Sequence, residues 1–375
     1  MLTEEQVMIA DMASAFAADR LRPNAAQWEQ DGCLDRDVLQ ELGELGFAAI
    51  YAREDVQGSA LGRQEAALIF EQLAKGCVST ATFLSIHNMA TWMVDTFGDD
   101  QMRQKWVPKL AAAELIASYC LTEPGAGSDA ASLKTSAVRD GDAYVLNGTK
   151  SFISGASFSD VYLVMARTSA NGARGISTFI VENGTPGLSF GALEKKMGWR
   201  AQPTASVHFD DCRVPLANRV GEEGQGFKFA MAGLDGGRLN IAAGSLGGAQ
   251  EACDRALSYV QERHQFGQAI ADFQATQFKL ADMETRLQAS RAFLYDAASR
   301  LDRKDLQASR HCAMAKMFVT DACFDIANDA LQLHGGYGYL ADYEIERIVR
   351  DLRVHQILEG TNQIMRVIVA RGLLG

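Results

Sequence analysis

The sequence predicts an α+β protein built in three consecutive parts: an N-terminal helical domain (1–117), a middle antiparallel β domain (118–225) and a C-terminal helical bundle (226–375). Three observations carry this reading. Apolar residues recur at helical spacing through the first third, short β-rich runs separated by Gly, Asn and Asp fill the middle, and long helical periodicity returns at the end.

The first helix opens with a capping-box pattern, Thr3 with Gln6. Helical periodicity continues through "DRDVLQELGELGF" and "ALGRQEAALIFEQLAK", with Gly58, Gly62, Gly76 and Gly98 as punctuation. In the middle part, "AYVLNGTKSFIS" places Asn147-Gly148 between two apolar runs and predicts a hairpin there. "DVYLVMAR", "ISTFIVE" and "ASVHFDD" read as further strands. In the last part Leu280, Met283, Leu287 and Leu294 recur at spacings of 3, 4 and 7, the seam of a packed bundle. The chain shows no internal repeat and no low-complexity linker.

At 375 residues and 47% hydrophobic content the chain can bury a substantial core. Lys and Arg total 36 against 47 acids, and the net charge of −11 argues against a nucleic-acid partner or an anionic membrane surface. Seven cysteines (Cys33, Cys77, Cys120, Cys212, Cys253, Cys312 and Cys323) are scattered with no C-x-x-C spacing, which predicts reduced thiols in an intracellular compartment. The N-terminal "MLTEEQVMIADMASAFAADR" carries acids where a presequence would be basic, so a cytoplasmic location is expected, with the mitochondrial matrix reserved for a protein whose presequence has been removed. No apolar run approaches the roughly 20 residues of a membrane span.

The fingerprints G-x-G-x-x-G, Walker A and H-E-x-x-H are absent. "YCLTEPGAGSDA" combines glycines and hydroxyls as backbone approach to a flat or anionic ligand requires, and is equally compatible with a Pro-Gly turn. "KSFISGAS" places Phe152 and Ser154 on one strand face by alternation, as a ring-stacking and hydrogen-bonding pair or as plain core. Arg263 in "ERHQFGQAI" suits a phosphate or a surface salt bridge, and Gly335-Gly336 suits an anion or a helix C-cap. His264 and His334 have no second ligand at metal spacing. In "HQILEGTNQIMR", Glu359 lies beside apolar residues just before a helix start. It reads either as a helix boundary with Thr361 as N-cap or as an acid of tunable pKa suited to proton transfer.

Taken in order, "YCLTEPGAGSDA", "GTKSFIS", "LDGGRLNIAAGSLG", "RHQFGQ", "LQLHGGYGYL" and "ILEGTNQI" resemble the acyl-CoA dehydrogenases at the same relative spacings over nearly the whole chain. The resemblance implies an acyl-CoA dehydrogenase-like fold holding FAD, in a homotetramer assembled as a dimer of dimers, with electron-transferring flavoprotein as acceptor. It implies that Tyr119, Leu121, Thr122, Gly127 and Ser128, with Phe152, Ile153 and Ser154, form the isoalloxazine site. Phe152 would lie against the ring and the Ser154 hydroxyl would point at N5, where the family often carries Trp and Thr. Arg263, Phe266, Phe273 and Gln274, with Gln332, Leu333, His334, Gly335 and Gly336, would meet the dinucleotide half of a neighbouring subunit's FAD. Thr361, Asn362 and Gln363 would line the FAD after the catalytic loop, and Ser128, Asp235, Arg238, Gly360 and Arg371 match positions that contact the CoA ester.

By the same resemblance Glu359 is the base that takes the α-proton of the thioester, and its backbone N–H helps hold the thioester oxygen. "GTPGLSF", "KKMGW", "GLDGGR" and "RVHQILEG" resemble members acting on isobutyryl-CoA, with Gly236-Gly237 expected to widen the pocket beside the acyl α-carbon. Short straight-chain or 2-methyl-branched acyl-CoA is the alternative substrate, and a non-catalytic flavin- or CoA-binding protein the alternative class. Isovaleryl and long-chain members carry their base immediately before the Arg of "GLDGGR". Gly237 occupies that position here, so the loop glutamate is the expected base.

Overall fold

The computed structural model describes residues 2–375, and its element order follows the three textures of the sequence. Six helices come first: α1 (Glu4–Phe16), α2 (Ala25–Asp31), α3 (Arg36–Glu44), α4 (Arg63–Gly76), α5 (Val78–Phe97) and α6 (Asp100–Ala111). The expected capping box is formed: the Thr3 hydroxyl accepts from the Gln6 N–H at 3.2 Å, and the Gln6 side chain accepts from the Thr3 N–H at 3.1 Å.

Eight strands follow: β1 (Ala117–Cys120), β2 (Ser136–Asp140), β3 (Ala143–Ser154), β4 (Val161–Arg167), β5 (Ile176–Glu182), β6 (Leu188–Phe190), β7 (Thr204–Pro215) and β8 (Arg219–Val220). They form one sheet in the order β6-β7-β3-β2-β4-β5-β8, with β1 joined to β4. The pairings are mostly antiparallel, as expected, but β1 runs parallel to β4. The hairpin expected at Asn147-Gly148 is not there. β3 continues through both residues, the register against β7 shifts between Leu146 and Gly148, and the turn falls at Gly141 (φ 61°) instead. The Asn147 amide is spent across strands, exchanging hydrogen bonds with Asp211 at 2.9 and 3.0 Å, so the Asn-Gly pair makes a bulge and not a turn.

The C-terminal part opens with α7 (Gly226–Glu262), 37 residues long, followed by a short ribbon of β9 (His264–Gln265) and β10 (Gln268–Ala269). Then come α8 (Gln274–Asp302), α9 (Ala308–Leu333), α10 (Ile345–Arg353) and α11 (Asn362–Leu374). Met283, Leu287 and Leu294 are buried along α8 as the seam requires, while Leu280 is only half-buried. Each fully buried Leu contributes on the order of 2 kcal/mol of transfer free energy. α7 packs against both α4 and α9, and where it meets α4 it carries glycine. A Cβ at Gly247 would lie 2.0 Å from the Glu71 carbonyl oxygen, so only Gly permits that approach. This central helix thereby joins N-terminal and C-terminal helices in one core and carries residues 235–238 to the site.

Candidate active site

The Glu359 loop is short and tightly held. α10 ends at Arg353, one 3₁₀ turn covers Val354–Gln356, and α11 begins after Thr361, whose hydroxyl accepts from the Ile364 N–H at 3.3 Å. Thr361 is therefore the N-cap, as the sequence suggests. Between these elements Glu359 (φ 55°) and Gly360 (φ 89°) are both left-handed. Gly adopts that conformation freely, whereas for Glu it costs roughly 1–2 kcal/mol, which the surroundings must offset.

They do so from three elements. Arg238 Nε on α7 donates to the Glu359 carbonyl at 3.2 Å. Lys316 Nζ on α9 donates to the Gly360 carbonyl at 2.9 Å, and the Gln356 amide donates to Asp321 at 2.7 Å. At the root of the loop, Trp199 Nε1 donates to His355 Nε2 at 3.1 Å, while His355 Nδ1 lies 2.7 Å from the Ser245 hydroxyl. Burial lowers the His355 pKa to about 3, so the ring is neutral and relays one hydrogen bond between the β part and α7.

The Glu359 carboxylate faces Gly237. A Cβ on Gly237 would sit 2.8 Å from Oε2 and 3.1 Å from Oε1, so the absence of a side chain there makes room for the acid. Oε2 is buried and has no hydrogen-bond partner among the described residues. Desolvation pushes the carboxyl up to about 7 against the opposing pull of Arg238 and Lys316, which makes it a proton acceptor poised near neutrality. Arg238 is engaged elsewhere, its Nη1 donating to Asp235 at 2.6 Å, and Ser309 donates to the same carboxylate at 3.0 Å. The neighbouring Tyr119 on β1 is held neutral, its pKa raised by burial and by the Glu359 charge. Gly236 behaves differently from its neighbour. Its missing side chain accommodates Arg63, whose guanidinium would lie 2.2 Å from a Cβ there and stacks 3.6 Å from the Tyr51 ring centroid. The two glycines therefore do not open one space together; Gly237 alone opens toward the carboxylate.

The loop after β1 rests on a buried ion pair. Lys150 Nζ donates to Glu123 at 2.8 Å and to the Leu121 carbonyl at 3.0 Å, and the Lys134 and Thr135 N–H groups also donate to Glu123. Thr122 is half-buried, its carbonyl accepting from the Ser151 N–H at 2.8 Å, while Gly127 and Ser128 are exposed. Phe152 breaks the expected strand alternation because it is left-handed (φ 58°) within a second register shift between Lys150 and Ile153. That bulge leaves the ring 69% exposed while Leu121 and Ile153 are buried in the core and Ser154 is half-buried.

Arg263 caps the far end of α7 and joins Gln332, Leu333, His334, Gly335 and Gly336 around a cleft of about 470 Å³. Gly335 is left-handed (φ 59°) and nothing lies within 4 Å of a Cβ on either glycine, so this backbone is open to a ligand. The Arg263 guanidinium lies over Tyr337 at 5.6 Å. The His334 ring is occupied internally, stacked on Tyr259 with Nδ1 at 2.8 Å from the Ala330 carbonyl. Phe266, 94% exposed, meets Phe273 edge to face, and Gln274 begins α8 exposed. This cleft is remote from Glu359. Arg263 lies 25 residues along α7 from Arg238, about 37 Å at helical rise.

One residue departs from expectation. Asn362 is buried, its Oδ1 accepting from Lys316 at 2.8 Å and its Nδ2 donating to Thr320 and Asp321, so its amide holds the loop and is not free for a cofactor. Arg371 lies exposed in the last turn of α11, and Gln363 is exposed in the first. Lys316 itself was not singled out from the sequence. Its signal is a lone lysine in "CAMAKMFV", on the α9 face shared with Cys312 and Val319.

Comparison with known proteins agrees with this layout. Models of the acyl-CoA dehydrogenase N-terminal, middle and C-terminal domains match residues 3–114, 118–212 and 224–374. The chain is 54% identical over 373 residues to a mitochondrial isobutyryl-CoA dehydrogenase of Dictyostelium discoideum, covering 99% of this chain and 90% of that one. It is 52% identical to the corresponding protein of Bos taurus, covering 100% and 90%. It superposes with a TM-score of 0.97 on a chain from a structure of the electron transferring flavoprotein of Acidaminococcus fermentans, at 42% identity, covering 100% and 99%. With all three domain models matched in order across nearly every residue, the chain belongs to the acyl-CoA dehydrogenase family.

Proposed function

We propose that the protein is an FAD-dependent dehydrogenase that converts isobutyryl-CoA to methacrylyl-CoA, with Glu359 as the base. The observation that carries the chemistry is the Glu359 carboxylate, with a buried, unpartnered oxygen facing the space kept clear by Gly237. In the reaction the Cα–H and Cβ–H bonds break and a Cα=Cβ bond forms. Glu359 takes the α-proton, and bound FAD supplies the acceptor for the hydride that leaves the β-carbon. Arg238, by fixing the Glu359 carbonyl, orients the loop so that its N–H can meet the thioester oxygen as negative charge develops there. Ser128, Asp235, Gly360 and Arg371 are assigned to the CoA ester.

The residues present fit FAD. The exposed Phe152 ring offers a platform for a flat ring system, and Thr122 and Ser154 are assigned to the same group. Arg263, with the open Gly335-Gly336 backbone, offers a cation and N–H donors for a diphosphate. Because those two regions are separated by most of the length of α7, the Arg263 cleft is assigned to the FAD of a neighbouring subunit, in a homotetramer built as a dimer of dimers. Exposed Phe266, Tyr339 and Leu340 support an interface on that side. Arg263→Ala is accordingly expected to lose FAD on dialysis at high salt and to loosen the assembly. Retention of FAD equal to the parent would reject this role. Electron-transferring flavoprotein is the assigned acceptor, and the seven unpaired cysteines support a reducing compartment.

Isobutyryl-CoA is assigned as substrate on the likeness to the isobutyryl-CoA dehydrogenases. Anaerobic mixing of the yellow protein with C4 and C5 thioesters, followed by flavin absorbance, tests it. Isobutyryl-CoA is expected to bleach the flavin faster than butyryl-CoA. A tenfold or larger advantage for butyryl-CoA, about 1.4 kcal/mol in the barrier, would overturn the branched-chain assignment and leave a straight-chain dehydrogenase. No bleaching by any thioester would overturn the dehydrogenase reading itself.

A further inference from the structure

We propose that Lys316 is a positioning residue for the base: its buried ammonium pins the Glu359 loop and is the counter-charge that keeps the carboxylate ionised. The proposal rests on Glu359 being the base.

Lys316 is completely buried, and burying an ammonium without compensation is strongly disfavoured. Its Nζ donates to the Gly360 carbonyl at 2.9 Å and to Asn362 Oδ1 at 2.8 Å, both neutral acceptors, and makes no ion pair among the described residues. Those two bonds bracket Thr361 and begin at the residue after Glu359, so the ammonium holds the end of the left-handed 359–360 turn where it enters α11.

The charged groups around the loop can be matched in pairs. On α7, Arg238 is paired with Asp235. On α9, Asp321 accepts from Gln356 and Asn362 and lies 3.7 Å from Arg366 of α11. On β1, Tyr119 stays a neutral phenol, and His355 before the loop stays a neutral imidazole. Glu359 and Lys316 are the two charges without an ionic partner of their own; Arg238, though paired with Asp235, also pulls the Glu359 carboxyl down, and Lys316 adds to that pull. Burial drives them toward each other, the carboxyl up to about 7 and the ammonium down to about 7, and each opposes the other's shift. They therefore ionise as a coupled pair near neutrality. Receipt of the substrate α-proton by Glu359 leaves Lys316 without its counter-charge, which favours return of the carboxylate once product leaves.

Two substitutions separate charge from hydrogen bonding. Lys316→Gln keeps an N–H donor without the charge, and Lys316→Arg keeps the charge. Flavin reduction by isobutyryl-CoA, followed against pH, is expected to show its midpoint raised by about one unit or more in Lys316→Gln, so that the rate near neutrality falls about tenfold while the alkaline plateau is largely restored. Lys316→Arg should keep the midpoint close to that of the parent. A lower plateau with an unmoved midpoint in Lys316→Gln would overturn the proposal, and so would an equal midpoint shift in both variants.

The coupling is also read from the other side, in a variant that retains Lys316. In ¹⁵N-lysine-labelled holoenzyme the Lys316 ammonium should titrate about one unit or more lower in Glu359→Gln than in the parent, and an unchanged midpoint would overturn the pairing even if Lys316→Gln fails to fold. Absence of flavin bleaching in the parent would instead count against the dehydrogenase reading, while the ammonium titration would still report on the pair.

Discussion

Glu359→Gln is expected to give a folded, yellow protein that binds acyl-CoA and reduces its flavin on the order of 10²–10⁴-fold more slowly than the parent. The amide keeps the shape of the side chain in a site already shaped by Gly237, and it cannot accept a proton. The fold has little reason to fail. Oε2 has no partner to lose, and the loop is held by Arg238, Lys316 and Gln356 through backbone atoms and Asp321, none of which involves the carboxylate. Stopped-flow reduction with isobutyryl-CoA and a thermal melt decide the matter together. A near-parental rate would show that this carboxylate is not the base and would leave the stretch as the helix boundary that Thr361 already makes it.

Moving the base is expected to rescue part of that loss. Glu359→Gly should be as slow as Glu359→Gln, and adding Gly237→Glu should raise the rate about tenfold or more above the single variant. The geometry is favourable because a Cβ at 237 would start 2.8–3.1 Å from the present carboxylate atoms, so a glutamate there reaches the same region from α7. The order of substitution matters. Gly237→Glu alone would force two carboxylates into one buried space and is expected to be both inactive and less stable, whereas Glu359→Gly clears the space and relieves the left-handed backbone at 359. Recovery should stay well below the parent, since ångström-scale misplacement costs on the order of 10²-fold. A double variant no faster than Glu359→Gly would show that position 237 does not address the substrate α-carbon.

Features that depend on local periodicity or on a single turn of chain were legible in the sequence. The α+β order, the α8 seam at Met283, Leu287 and Leu294, the capping box at Thr3 and Gln6, and the N-cap at Thr361 each involve partners within one element, so residue type and spacing determine them. Glu359 was not legible locally, where it reads equally as a helix boundary; the resemblance of six motifs in order is what marks it as the expected base.

The tertiary structure decided everything whose partner lies far along the chain. Asn147-Gly148, which locally favours a turn, became a bulge because Asp211 on β7 takes both faces of the amide. Phe152 left the strand alternation because of a register shift against β7, and the parallel pairing of β1 with β4 has no local signature. Gly236 and Gly237, alike in sequence, point to Arg63 and to Glu359 because successive residues on a helix face directions about 100° apart. Lys316 reads as one lysine on an apolar helix, yet its two acceptors, Gly360 and Asn362, lie 44 and 46 residues further on and meet it only because α9 and the Glu359 loop pack together. The sequence by itself determined which element each group sits on. Only the packing of α7, α9 and the loop decided which charges meet, because burial and the distance between groups set how strongly they shift one another.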